Sequence, residues 1–230
     1  MCTIVASLSG GRLLFLENRD VPDERFIGDM PAMLEDVAAL FDLRSSGVVC
    51  GFNLRSRVYG GVTNVLGYEA PKSRGVLLLK ALAKASSLGE AVGILVSELR
   101  TGEYSSAVYL IGDLKSMVRV ESYGREVCAE ELEGIAVVTN IFHELKSGIR
   151  LETSVAREEA VRRFLQQRKS LSLEDFMQLA RLHMGVGSVC RHGVKQTVSS
   201  MLFKISSEKS EVYYCRGNPC RSQYSKIYFH

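Results

Sequence analysis

A chain of 230 residues, 46% hydrophobic and 24% charged, can bury a substantial core and is too apolar to stay disordered. Its formal charge of +3 includes no dense basic block, so neither nucleic acid nor an anionic membrane is implied as a partner. The apolar run Thr3–Leu8 is too short for a signal peptide, and the internal run Val76–Leu79 is broken by Lys80 and Lys84. No membrane span is therefore expected, and a cytoplasmic location is the default.

Taken in chain order, Cys2–Leu8 and Arg12–Glu17 read as strands joined by "SGG", a hairpin turn in which glycine accepts positive φ. "PAMLEDVAAL" is ambiguous between a short helix and a loop. Strands are expected at Gly47–Asn53 and Val58–Thr63. "SRGVLLLKALAKA" is strongly helix-forming and apolar on nearly every side, which predicts a helix covered on more than one face. The next segment sets Leu88, Ala91, Val92, Leu95, Val96 and Leu99 on one helical face. Strands return at Ser106–Gly112, Met117–Ser122 and Ile135–Thr139.

A helix starting near Thr153 or Ser154 turns Val161, Phe164 and Leu165 inward. Another starts at Ser172, where "SLED" is a capping-box signature, and aligns Phe176, Leu179, Ala180 and His183. Alternating strands close the chain near Thr197–Ile205, Glu211–Cys215 and Gln223–Phe229. No repeat or linker divides the sequence, which reads as one domain over residues 1–230. Two helical pairs separated by sheet-forming blocks predict an α+β fold, a four-layer αββα sandwich of two antiparallel sheets between helix pairs.

The six cysteines (Cys2, Cys50, Cys128, Cys190, Cys215 and Cys220) form no C-x-x-C pair and show no zinc-like spacing with histidine. No metal site and no cofactor is therefore expected. Most of these cysteines read as buried small apolar residues in a reducing compartment. Cys215 and Cys220 could pair if their strands align them.

Cys2 differs from the others. Methionine before a small residue is normally trimmed, which leaves a thiol and a free α-amine on one residue. Their ordinary pKa values are about 8.5 and about 8, so the amine can take the thiol proton directly or through one water. Nucleophile and base then come from a single residue, and no histidine is required. The same cysteine could equally be a strand residue with no chemical role.

In the proposed hairpin, residue 18 returns opposite residue 2, which brings Arg19 and Asp20 beside the amine and thiol. Asp20 could orient the α-ammonium; Arg19 could lower the thiol pKa and bind a carbonyl or carboxylate. Asn-Arg-Asp is also an ordinary solvated turn. Asn64 ends "GGVTN" and Asn140 ends "VVTN"; an asparagine amide at a strand end can donate to a tetrahedral oxyanion, though it is a common turn residue too.

As a set, Cys2, "NRD" at 18–20, Asn64 and Asn140 resemble the N-terminal-nucleophile (Ntn) hydrolases. More narrowly they resemble the cysteine branch of choloylglycine hydrolases, penicillin V acylases and isopenicillin-N acyltransferase-like proteins. "GSVCRHG", "QTVSSMLFKI" and "YYCRGNPCRSQYSKIYF" look like the acyltransferase-like subfamily, whereas "ENRD" with "GGVTNVLGYEAPKSRG" looks like the NRDE family linked to transport and Golgi organisation.

The resemblance implies the αββα fold. It also implies an amidohydrolase or acyltransferase that cleaves the C–N bond of a small N-acyl or amide substrate through an S-acyl intermediate, with no cofactor. Cys2 would be nucleophile and base, Asp20 would orient the amine, Arg19 would position substrate, and Asn140 with Asn64 would form the oxyanion hole. Arg191 would bind substrate or support the site. The chain departs from these relatives in needing only methionine removal, in reading "NRDV" rather than "NRDE", and in being shorter than most of them.

The rival expectation is a non-catalytic binding or trafficking protein of the NRDE type. Homo-oligomerisation is left open. A Cys/His dyad using His143, His183, His192 or His230 lacks a local signature; His183 reads as a core or groove residue, and His192 could face the site beside Arg191.

Overall fold

The computed structural model describes residues 2–22, 28–146 and 152–229. Gly10 and Gly11 both take left-handed backbone, with φ of 56° and 68°, the geometry a tight hairpin turn needs and side chains resist. They join β1 (Thr3–Ser9) to β2 (Arg12–Pro22), paired from Ser9↔Arg12 to Thr3↔Asn18. β2 runs further than expected. Asn18, Arg19 and Asp20 lie within the strand rather than in a turn, because a later strand pairs with β2 from Leu13 to Pro22.

The ambiguous "PAMLEDVAAL" is neither helix nor loop. It forms most of a second hairpin, β3 (Asp29–Leu34) and β4 (Val37–Asp42), turned at Glu35, which has φ 51°. The reason lies in β4's surroundings. Ala38 and Leu40 enter the core between the sheets while Val37 and Ala39 enter the core under helices, so alternate residues are apolar on both faces. The chain continues through β5 (Gly47–Asn53), β6 (Tyr59–Asn64), α1 (Arg74–Lys84), α2 (Leu88–Leu99), β7 (Ala107–Gly112) and β8 (Met117–Tyr123). A strand not anticipated, β9 (Glu126–Leu132), follows before β10 (Ile135–Val138). Then come α3 (Glu152–Gln166), α4 (Leu173–Ala180), β11 (Lys195–Ile205), β12 (Ser210–Arg216) and β13 (Ser225–Ile227).

Two antiparallel sheets result. One has the order β10-β1-β2-β11-β12-β13; the other is a meander in chain order, β3 to β9. Phe15, Phe52, Tyr59 and Phe203 pack between them. The α1–α2 pair covers the outer face of the meander through Leu77, Leu78, Leu82, Leu95 and Leu99. The α3–α4 pair covers the other sheet through Val161, Leu165, Phe176 and Leu179. The architecture is the expected four-layer αββα sandwich.

Caps fix where the helices begin: Ser73 accepts from Val76 N–H, Ser87 from Glu90 N–H, and Ser172 forms the expected capping box with Asp175. His183 falls beyond α4, past its cap Arg181, and is exposed rather than on an apolar helix face. No described helix is long and apolar enough to cross a membrane.

The first turn of α1 lies directly on β5. A Cβ on Gly75 would come 2.6 Å from the Val48 carbonyl oxygen, and one on Gly47 would come 2.7 Å from the Gly75 backbone. Gly75→Ala should therefore destabilise the fold by about 1–3 kcal/mol through overpacking, although alanine is otherwise the better helix former. A lowered urea midpoint at unchanged slope is the expected result. An unchanged or raised midpoint would show that the two backbones can separate.

Candidate active site

β1 is flanked by β10 and β2, and Cys2, the residue just before it, is half-buried at the sheet's end. The pairs Ile4↔Val138 and Thr3↔Asn18, carried to the strand's start, set Cys2 opposite Asn140 on one side and Arg19 on the other. Side chains alternate. Ile4 faces the core between the sheets, so Cys2 and Arg19 share that inner face, while Thr3, Asn18 and Asp20 face α3 and α4. Cys2, Arg19, Asp20 and Asn64 line a cleft of about 480 Å³ between the ends of the two sheets, walled by the β4–β5 turn and the residues leading into α1.

Asp20 is buried beneath this floor. Its Oδ2 lies 3.5 Å from Arg157 Nη1, and its Oδ1 accepts the Thr197 hydroxyl at 2.7 Å. The β2–β11 register shifts between Thr197 and Ser199, a bulge that sets Thr197 opposite Asp20. Arg157 Nη1 also donates to Thr3 Oγ1 at 2.9 Å and to the Cys2 carbonyl at 3.3 Å. Burial pushes the Asp20 carboxyl above the ordinary range, and Arg157 foremost, then the Thr197 hydroxyl, pulls it back. The Asp20 backbone N–H donates to the Cys2 sulfur. Burial nevertheless raises that thiol, and the negative charge of Asp20 pushes it the same way.

Sequence reasoning missed Arg157. A charged residue on a helix ordinarily reads as part of a solvated face, yet Ser154, Arg157, Glu158, Val161 and Leu165 are all buried along α3. That 3–4 spacing was the available signal. Glu158 also faces inward, accepting from Thr139 at 2.9 Å. Glu17 was missed as well. It lies on the same inner face as Cys2 and is fully buried, and neither carboxyl oxygen meets an oxygen or nitrogen donor among the described residues. The group that reaches it is the Cys50 thiol. Burial holds the Glu17 carboxyl well above the ordinary range, so its neutral acid form is favoured.

The other expected residues divide by position. Arg19 is held by two carboxylates, Asp29 at 3.3 Å and Asp42 at 3.0 Å. Asn140 is buried and donates through Nδ2 to the Asn64 carbonyl at 2.5 Å; its Oδ1 meets no partner among the described residues. Asn64 itself is exposed at the cleft. Arg191 is absent from the cleft lining and lies behind it, where its charge acts on Asp20 and its backbone N–H donates to Thr197 Oγ1 at 2.8 Å. His192 also lies away from the cleft, exposed and stacked on His183. A larger cavity of about 770 Å³ opens by the β1–β2 turn; its lining includes Arg168, Lys169, Lys204 and Lys209 but no cysteine or histidine.

No protein-family model matches the chain, and no curated protein sequence matches it. Among solved structures the chain is similar to eukaryotic HslV from Trypanosoma brucei, with 15% identity and a TM-score of 0.40 over 76% of this chain and 84% of that one.

Two outcomes follow from the buried charges. Arg157→Met leaves Asp20 buried without its cation and should cost about 3–5 kcal/mol. Adding Asp20→Asn should cost less than the sum of the single changes; strict additivity in guanidinium unfolding would show that the pair is not coupled. For Glu17, a raised folded pKa means that the native state holds a proton the unfolded chain releases above about pH 4.3, so wild-type stability falls as pH rises through that window. Glu17→Gln removes the loss. Its stability relative to wild type should grow by about 1.4 kcal/mol per pH unit until native Glu17 ionises. A difference independent of pH would place Glu17 among ordinary carboxylates.

Proposed function

We propose that, once Met1 is removed, the chain is an N-terminal-cysteine amidohydrolase or acyltransferase of the Ntn type. The observation that carries this reading is the position of Cys2, half-buried at the floor of a cleft, with the Asp20 N–H on its sulfur and Asn140 just past the end of β10, the strand that pairs with β1. Trimming would expose the Cys2 α-amine, for which Asp20 and Asn140 Oδ1, without a partner among the described residues, are the proposed acceptors.

The amine takes the thiol proton, and the sulfur attacks the amide carbonyl carbon. The oxyanion that forms is met by the amides of Asn140 and Asn64. Collapse breaks the C–N bond, and the α-ammonium returns its proton to the departing nitrogen. Water, deprotonated by the same amine, then releases the acid from the thioester; an acceptor amine in place of water would complete a transfer. Arg19, fixed by Asp29 and Asp42, keeps a positive charge beside the sulfur. Arg191 acts through Asp20 and Thr197.

The cleft also bears on substrate class. Arg19, Arg44, Lys72 and Arg74 line it with Asp20 and Asp42, but Arg19 is paired with Asp29 and Asp42 and Lys72 with Glu103. Arg74 donates to the Ser106 carbonyl and forms no ion pair among the described residues, so it offers a cation to a substrate carboxylate, and N-acyl amino acids and penicillins rank ahead of uncharged acyl-homoserine lactones.

Intact mass should show a chain lacking Met1, with one thiol alkylated faster than the others. Cys2→Ala should abolish turnover of a carboxylated N-acyl substrate, and Asn140→Ala should lower kcat by about 10²–10³-fold. Turnover that survives Cys2→Ala would defeat the reading for that substrate. A retained methionine with an inert Cys2 would favour the non-catalytic binding protein instead.

A further inference from the structure

Outside the cleft, the loop after α4 and the turn after β12 bring His183, Cys190, His192 and Cys220 together. One ligand atom from each lies within 4.8 Å of every other. Cys220 Sγ and His192 Nε2 are 3.3 Å apart, and the two imidazoles stack at 5.2 Å and 8°. A tetrahedral ion with ordinary metal–sulfur and metal–nitrogen bonds would hold such atoms about 3.3–3.8 Å from one another. The cluster therefore needs only small side-chain rotations to close on an ion.

The backbone around it is already tied in place. Leu182 carbonyl accepts from both Val189 and Cys190 N–H, at 3.0 and 3.1 Å, closing the loop that carries His183 and Cys190. Arg221 and Ser222 donate to the Asn218 carbonyl, forming the turn that carries Cys220. Arg181 Nε reaches the Pro219 carbonyl at 3.1 Å, and Asn218 Nδ2 reaches the Arg191 carbonyl at 3.4 Å, so loop and turn are joined to each other. Cys220 N–H also donates to the Cys190 sulfur. Cys190 and Cys220 are both free, and Cys215 is buried and free as well.

From this arrangement we propose that His183, Cys190, His192 and Cys220 form a structural site for a zinc-class divalent cation. Two thiolates and two imidazoles are the donors such an ion prefers over oxygen-seeking calcium or magnesium, and four protein ligands leave no open position for catalysis. Binding forms two metal–sulfur and two metal–nitrogen bonds and releases two thiol protons to solvent. The ion would fasten the loop after α4 to the turn after β12. Arg191, between two of the ligands, donates its N–H to the hydroxyl of Thr197, which in turn holds Asp20. The site therefore steadies the back wall of the cleft without touching it.

The test uses the full chain purified under reducing conditions without chelator. Elemental analysis should find one zinc per chain, kept through gel filtration in wild type and in Cys2→Ala, and lost in Cys220→Ser and in His183→Ala/His192→Ala. Should the variants fail to fold, wild type decides the matter. Stripped and refilled with cobalt, it should show the visible bands of tetrahedral coordination and near-ultraviolet thiolate charge transfer, with two thiols newly protected from a thiol reagent. Metal-free wild type that gives neither cobalt signature would overturn the proposal. So would a Cys190–Cys220 disulfide in freshly purified reduced protein, or zinc that survives loss of both histidines.

Discussion

A carboxylate removed from water must find compensation inside the protein, and for Asp20 that compensation organises one end of the molecule. An unpaired buried carboxylate costs several kcal/mol. Here the partners come from far along the chain, Arg157 at a separation of 137 residues and Thr197 at 177. Meeting them requires α3 to press onto β1 and β11 to bulge against β2. Arg157 at the same time grips the Cys2 carbonyl and Thr3, and Asn18 donates to the carbonyls of Ala180, at the end of α4, and of Val189, in the loop after it. The position of the thiol is thus set by how one negative charge is satisfied. A rigid sheet then carries that position into the cleft.

Polar braces hold the cleft open where the aromatic core stops. Arg19 on β2 spans to Asp29 on β3 and Asp42 on β4, and Asp29 also accepts from Ser199 and from Tyr214 at 2.5 Å, so four strands of two sheets converge on one carboxylate. Glu121, buried on β8, accepts backbone N–H groups of His143, Glu144 and Leu145 at 2.7–2.9 Å. This anchors the segment just after Asn140. Braces of this kind fix the separation between the Asn64 and Asn140 strand ends and the thiol, a spacing that hydrophobic packing alone would define loosely.

The parts of this design visible in the sequence were those governed by local rules. Paired glycines announced the first hairpin, and its length put Asp20 near Cys2. The capping box at Ser172 announced one helix start, and apolar spacing announced the buried helical faces. The β3–β4 hairpin was hidden because Leu, Glu and Ala favour helix, and their strand conformation is imposed by β5 and the two cores around β4. Arg157 and Glu17 were hidden for a different reason: a charged residue announces burial only through a partner, and theirs arrive from distant strands or from a thiol. The His183–Cys190–His192–Cys220 cluster escaped spacing rules because Cys220 lies 28 residues past His192 and only the β12 turn returns it.

Sheet topology also dictates an order of assembly during synthesis. The meander from Asp29 to Leu132 pairs each strand with its chain neighbour, so it can form as it leaves the ribosome. The other sheet cannot. Its first strands, from the first 22 residues, wait for β11 to β13, made almost last. Until Thr197 emerges, Asp20 has no bulge to meet and Cys2 no finished floor. Cys2 therefore gains its enclosure only once β11 to β13 have been made.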